Sequence, residues 1–100
     1  MIHGFLKACT VSPALRVADC AFNTQQTIAA MQRAALDGAQ LAVFPELGLT
    51  GYTCGDLFFQ QPLQRAAAKG LAAVLEASAG LDLVALVGLP VAVDGKLYNC

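Results

Sequence analysis

Side chains that could do chemistry gather between Phe44 and Phe59: Glu46, Tyr52, Cys54 and Asp56. Glu46 follows the apolar run Leu41 to Phe44 directly, so it should sit at the rim of a core. Partial desolvation there would raise the pKa of its carboxyl toward the range of a useful general base. The plainer alternative is that Glu46 caps a turn or pairs with an arginine. Tyr52 could line a pocket with its hydroxyl, or simply pack in the core. A nucleophilic role for Cys54 would need a helix N-terminus or a cation to lower its pKa. Arg33 and Arg65 are remote from it along the chain, so Cys54 reads first as a small buried hydrophobe. Asp56 reads as a turn or N-cap residue rather than an acid catalyst.

The glycines of this stretch, Gly48, Gly51 and Gly55, are spaced G-x-x-G-x-x-x-G. That is neither the dinucleotide fingerprint nor the Walker pattern, and no Lys-Ser/Thr pair follows, so no phosphate loop is indicated. The four cysteines at 9, 20, 54 and 100 contain no C-x-x-C pair, which removes zinc-ribbon and thioredoxin-type readings. A single histidine, His3, cannot build a His-based metal site or a Ser-His-Asp triad within these residues.

The elements that must hold these residues follow from the patterning. Phe5 to Val11 reads as a strand. Asn23 with Gln26 three residues on reads as a helix N-cap and its reciprocal partner. Ile28, Met31, Ala34 and Ala35 then recur at helical spacing up to a stop at Gly38. Leu41 to Phe44 suits a buried strand. The loop from Pro45 to Gln61 is 17 residues long, a length usually functional or disordered, and too apolar here for disorder. It leaves the C-terminal end of a strand, where open α/β sheets hold ligands. Pro62 opens a second helix, with Leu63, Ala67, Leu71, Val74 and Leu75 on one face and Gly80 as its stop. Leu83 to Gly88 is another buried strand, and Asp94-Gly95 predicts a type I′ hairpin leading into Leu97 to Cys100. Strand, helix, strand, helix, strand, strand makes an α/β fold with a parallel sheet. A chain that stops as a hairpin strand returns is expected to be part of a larger domain.

Composition narrows the class further. Apolar residues make up 57% of the 100 residues and charged ones 13%, with a net charge of −1. That excludes disorder, and six scattered Lys and Arg make no nucleic-acid patch. The run Leu83 to Val93 has eleven residues, with Gly88 and Pro90 inside it, against roughly 20 for a membrane span. Lys7 and Pro13 interrupt any signal-peptide core. The expectation is a soluble, cytoplasmic protein with reduced cysteines, no membrane and no nucleic-acid partner. Its excess apolar surface should be covered by further chain or another subunit.

Phe44-Pro45-Glu46-Leu47 followed by Leu49-Thr50-Gly51-Tyr52 resembles the nitrilase, or carbon–nitrogen hydrolase, superfamily. Asp19 and Asn23 ahead of the first helix, Gly88-Leu-Pro90 and Tyr98-Asn99 also match that pattern. Thr53-Cys54-Gly55-Asp56-Leu57-Phe58 makes the chain most similar to the N-terminal glutaminase domains of glutamine-dependent NAD⁺ synthetases. The resemblance implies a nitrilase-like αββα sandwich of which residues 1–100 are the N-terminal part, with the rest of that domain and the synthetase domain outside them. It implies a Glu-Lys-Cys triad in which Glu46 is the general base, and a place for Tyr52 at the substrate. The base deprotonates a cysteine that attacks the amide of glutamine, a lysine steadies the oxyanion, ammonia leaves, and water hydrolyses the thioester. Neither Lys69 nor Lys96 lies in the lysine's motif, and no cysteine here lies in the nucleophile's. The residues at hand would hold the base and part of the pocket, with no cofactor, and would be inactive alone. ATP and Mg²⁺ would serve the synthetase domain, with deamido-NAD⁺ as its substrate, in a homo-oligomer. A stand-alone amidase on another small amide, or an inactive packing module, are the alternatives.

Overall fold

The apolar run that follows Gly38 becomes the middle strand of a parallel sheet. The computed structural model describes residues 3–100 and orders them as β1 (Ala8–Thr10), α1 (Cys20–Leu36), β2 (Leu41–Val43), α2 (Gln61–Ser78), β3 (Val84–Leu86), β4 (Pro90–Val93) and β5 (Lys96–Asn99). A 3₁₀ turn over Gly55–Phe59 precedes α2. β1, β2 and β3 lie side by side in that order, and both pairings are parallel. With the right-handed sense general to such connections, two crossovers in the same direction carry both helices to one face of the sheet. There α1 and α2 also pack on each other. β4 and β5 form a separate antiparallel hairpin. Its Asp94-Gly95 turn has φ of 51° and 76°, as a type I′ turn requires. The expected element order and α/β class are those observed.

The two faces of the sheet differ. Cys9, Ala42 and Ala85 are in register and pack into the core beneath the helices. The alternate positions, Leu41 beside Val84 and Val43 beside Leu86, lie on the other face. Val84 and Leu86 are 60% and 52% exposed, so that face is bare among the described residues. The ladder is shorter than the apolar runs suggest. Phe5 and Leu6, expected in the first strand, are exposed and precede the residues paired with β2. No helix of the described residues is long and apolar enough to cross a membrane.

Asn23 is not the N-cap expected from its type. α1 starts earlier, and the Asp19 side chain accepts from Phe22 N–H at 3.0 Å. Asn23 lies within the helix and is fully buried. Its side chain accepts from Arg16 N–H at 2.8 Å and donates to Arg16 O at 2.8 Å and Leu49 O at 3.2 Å. Both residues are good caps by type. The buried carbonyl of Leu49 needs a partner, and Asn23 supplies it from one turn inside the helix while also bonding the part-buried backbone of Arg16.

The buried stripe of α2 also departs from expectation. Leu63, Ala67, Gly70 and Val74 are buried, whereas Leu71 and Leu75 are exposed. The reason is the approach of α1. A Cβ on Gly70 would stand 2.4 Å from Thr24 Oγ1. The helices meet where α2 has no side chain, which turns Leu71 and Leu75 outward. Pro62 in the first turn, and the stops at Gly38 and Gly80, fall where the sequence placed them.

Candidate active site

β2 ends because of its sequence. Phe44 N–H still donates to Leu86 O at 2.9 Å, but Pro45 has no N–H with which to continue the ladder. The chain then closes into a tight turn. Gly48 N–H reaches Pro45 O at 3.1 Å, and Gly51 N–H reaches Leu47 O at 2.8 Å. The Thr50 hydroxyl lies 2.9 Å from Gly51 O and 3.2 Å from Leu47 O. Neighbouring elements hold the turn from outside. Leu49 N–H donates to Gly88 O at 3.1 Å and Ala18 N–H to Thr50 O at 2.7 Å, while Asn23 grips Leu49 O. Leu47, Gly48, Leu49, Thr50 and Gly51 are all buried.

Glu46 sits in this turn, immediately before Leu47, whose φ is 53°. A left-handed φ is uncommon for a residue with a branched side chain and needs a surrounding structure that enforces it. Gly88 is part of that structure. A Cβ there would lie 2.5 Å from Leu47 N and 2.8 Å from Pro45 O, so only glycine lets the end of the third strand run against the turn. The chain then enters the hairpin, where Leu89 and Cys100 exchange two backbone hydrogen bonds of 3.0 Å. This brings Asn99 to Glu46, and Asn99 Nδ2 donates to Glu46 Oε1.

The carboxylate is not desolvated as its position after an apolar run suggested. Glu46 is exposed, because Pro45 carries it past the end of the ladder and away from the core beneath the helices. Nor does it pair with an arginine: the ion pair of the described residues joins Arg16 and Asp19 at 4.0 Å. Tyr52, in the same loop, is 65% exposed, so it is not a core residue here. Asp56 stands in the first turn of the 3₁₀ segment.

The four cysteines are free thiols. The buried Cys54 thiol lies 3.2 Å from Thr50 O and 3.5 Å from Gly51 O, a structural contact within the turn. Burial pushes the Cys20 thiol up from its ordinary pKa, with smaller contributions from Cys54 and the Asp19 carboxylate, which makes it a poor nucleophile. Cys9 is half-buried and Cys100 exposed.

An apolar depression of about 220 Å³ is lined by Leu47, Phe58, Pro90, Leu97 and Asn99, the last of which donates to the Glu46 carboxylate. A larger one of about 460 Å³ lies at the other end of the sheet, by Lys7, Gln40 and Asp82. Ligands of parallel sheets sit at the carboxyl ends of strands, so the smaller depression is the candidate site despite its size. Among the described residues no three His, Cys, Asp or Glu come together as a metal site. Gly88, Asn23 and Asn99 stand out in the sequence as pattern matches, and Asn23 as a cap by type, but the contacts that give them their roles are distant in sequence.

Comparison with known proteins gives a consistent result. Residues 7–100 match the carbon–nitrogen hydrolase family. The chain is 34% identical over 97 residues to the glutamine-dependent NAD(+) synthetase of Mycobacterium tuberculosis, covering 97% of this chain and 14% of that protein. It therefore spans about a seventh of the length of such curated relatives. The crystal structure of a glutamine-dependent NAD(+) synthetase from Cytophaga hutchinsonii superposes with a TM-score of 0.81 at 25% identity, over 95% of this chain and 16% of that one. An amidase from Nesterenkonia sp. shares the fold, with a TM-score of 0.68 at 24% identity over 85% of this chain and 32% of that one. Since the family match runs through the strand that delivers Glu46 and through the hairpin that delivers its partner, the chain belongs to the carbon–nitrogen hydrolase family.

Proposed function

We propose that residues 1–100 form the N-terminal part of the glutaminase domain of a glutamine-dependent NAD⁺ synthetase, with Glu46 as its general base. The observation that carries this reading is the fixed carboxylate at the C-terminal end of the central strand, in a chain similar to such synthetases over 97% of its length. Glu46 would take the proton of a cysteine supplied by the rest of the domain. The thiolate then attacks the amide carbon of glutamine, and a lysine, also from beyond residue 100, stabilises the oxyanion. Tyr52, exposed in the loop after the turn, is proposed to contact glutamine. The bare face of Leu41, Val43, Val84 and Leu86 would be covered by the second sheet of the sandwich.

The released ammonia is proposed to reach a synthetase domain that uses ATP and Mg²⁺ to convert deamido-NAD⁺ to NAD⁺. The described residues fit neither of those groups: they present no metal-binding cluster and no phosphate loop, so no step here runs through them. A cytoplasmic homo-oligomer completes the proposal, a reducing setting that four free thiols suit.

The test is Glu46→Gln in the full-length protein, assayed for NAD⁺ formation with glutamine and, separately, with ammonium. Loss of the base should lower the glutamine-driven rate by roughly 10²–10⁴-fold. The ammonium-driven rate should stay near wild type, because free ammonia bypasses the hydrolytic site. Equal loss with both nitrogen sources would make Glu46 a structural residue. Hydrolysis of another amide, with no NAD⁺ from either source, would identify a stand-alone amidase instead.

A further inference from the structure

The carboxylate of Glu46 has a partner that the mechanism above does not use. Asn99 Nδ2 donates to Oε1 from a strand 53 residues further along the chain. The chemistry of that partner is informative. A lysine or arginine in its place would favour the charged carboxylate strongly and weaken it as a base, and an aspartate would repel it. An asparagine amide donates an N–H, carries no charge and takes up no proton at neutral pH. One such donor anchors Oε1 and leaves the lone pairs of Oε2 to a thiol.

The backbone on both sides fixes this meeting. Leu47 is held at φ 53°, and Gly88 lies against Leu47 N and Pro45 O, which sets where Glu46 leaves the turn. On the other side, Leu89 and Cys100 exchange backbone bonds, and Asn99 pairs with the buried Pro90. The Asp94-Gly95 turn sets that register, and a slip of one residue would move Asn99 to the opposite face of the hairpin. Gly88 and Pro90, two residues apart, thus tie base and amide into one backbone unit.

We infer that Asn99 is a positioning residue for Glu46: it orients the base through a single neutral N–H and affects the rate through Glu46. The inference rests on the reading of Glu46 as general base. Misplacing a reacting group by about 1 Å can cost on the order of 10²-fold in rate.

The experiment measures glutamate release from glutamine by the full-length protein, for wild type, Glu46→Gln, Asn99→Asp, Asn99→Leu and Asn99→Gln. Ammonium-driven NAD⁺ formation by each variant reports on the fold. Asn99→Asp keeps the shape but not the donor, and kcat should fall on the order of 10²-fold, with KM for glutamine changed less than about threefold. Asn99→Leu should fall as far. Asn99→Gln, which still carries an amide donor, should recover about tenfold or more over Asn99→Leu. Wild-type kcat in Asn99→Asp, or equal loss in the Leu and Gln variants, would overturn the inference. So would loss of ammonium-driven activity in Asn99→Asp, which would assign the residue to the fold. If Glu46→Gln keeps wild-type glutaminase, the general-base reading fails and this inference with it. An inactive Glu46→Gln beside a fully active Asn99→Asp removes the inference alone.

Discussion

The loop between β2 and α2 is built in two different ways. From Pro45 to Gly51 its backbone is closed by bonds of its own and by Ala18, Asn23 and Gly88 from three other segments. Five consecutive residues of that half, Leu47 to Gly51, are buried. From Tyr52 to Gln60 the chain is mostly exposed, and Phe59 is 72% exposed although it is as apolar as anything in the first half. Its internal bonds are local, Leu57 N–H to Cys54 O at 3.2 Å and Gln60 N–H to Leu57 O at 3.0 Å. Apolar content does not separate the halves. The first half runs between α1 and the end of β3, where its polar backbone groups meet fixed partners. The half that carries Glu46 is therefore rigid by construction, while the half after it is free to serve contacts.

That contrast can be broken by substitution, beginning with the largest expected effect. Gly88→Ala drives a Cβ into two backbone atoms of the first half, 2.5 and 2.8 Å away, neither of which can rotate aside. We expect about 3 kcal/mol of lost stability in urea unfolding, the upper end for overpacking. Glutaminase activity should be lost with the turn. Asn23→Ala comes next, at about 2 kcal/mol, because it leaves the buried carbonyl of Leu49 and the part-buried backbone groups of Arg16 without their partner. Chemical denaturation of the two single variants ranks them, and the reverse order would mean that Gly88 is not the tighter constraint.

Gly51→Ala probes the boundary between the halves. Its φ is +85°, and a Cβ would meet Val17 Cα at 3.2 Å, so about 1–2 kcal/mol should be lost. Tyr52→Ala should change stability by no more than about 0.5 kcal/mol, as for other exposed positions. If Tyr52 contacts glutamine, the same variant should raise KM for glutamine while leaving the midpoint of thermal unfolding in place. A Tyr52→Ala variant as unstable as Asn23→Ala would erase the difference between the halves.

The sequence by itself determined the order of the elements, the helix stops at Gly38 and Gly80, the Asp94-Gly95 turn, and Glu46 as the residue of interest. These are decisions of short range: an apolar run, a glycine after it, a two-residue turn, or a carboxylate next to a strand can each be read within a few positions. Only the tertiary structure decided that Asp19 and not Asn23 caps α1, because the backbone of Arg16 and the buried carbonyl of Leu49 claimed the Asn23 side chain. It turned the buried stripe of α2 toward Gly70, because α1 approaches where no side chain intervenes. It left Glu46 exposed, because Pro45 ends the ladder before the carboxylate is reached. It also chose Asn99 as the partner of that carboxylate. No local rule spans the 53 residues between them, and their meeting depends on a hairpin register and a glycine contact that exist only once the sheet is assembled.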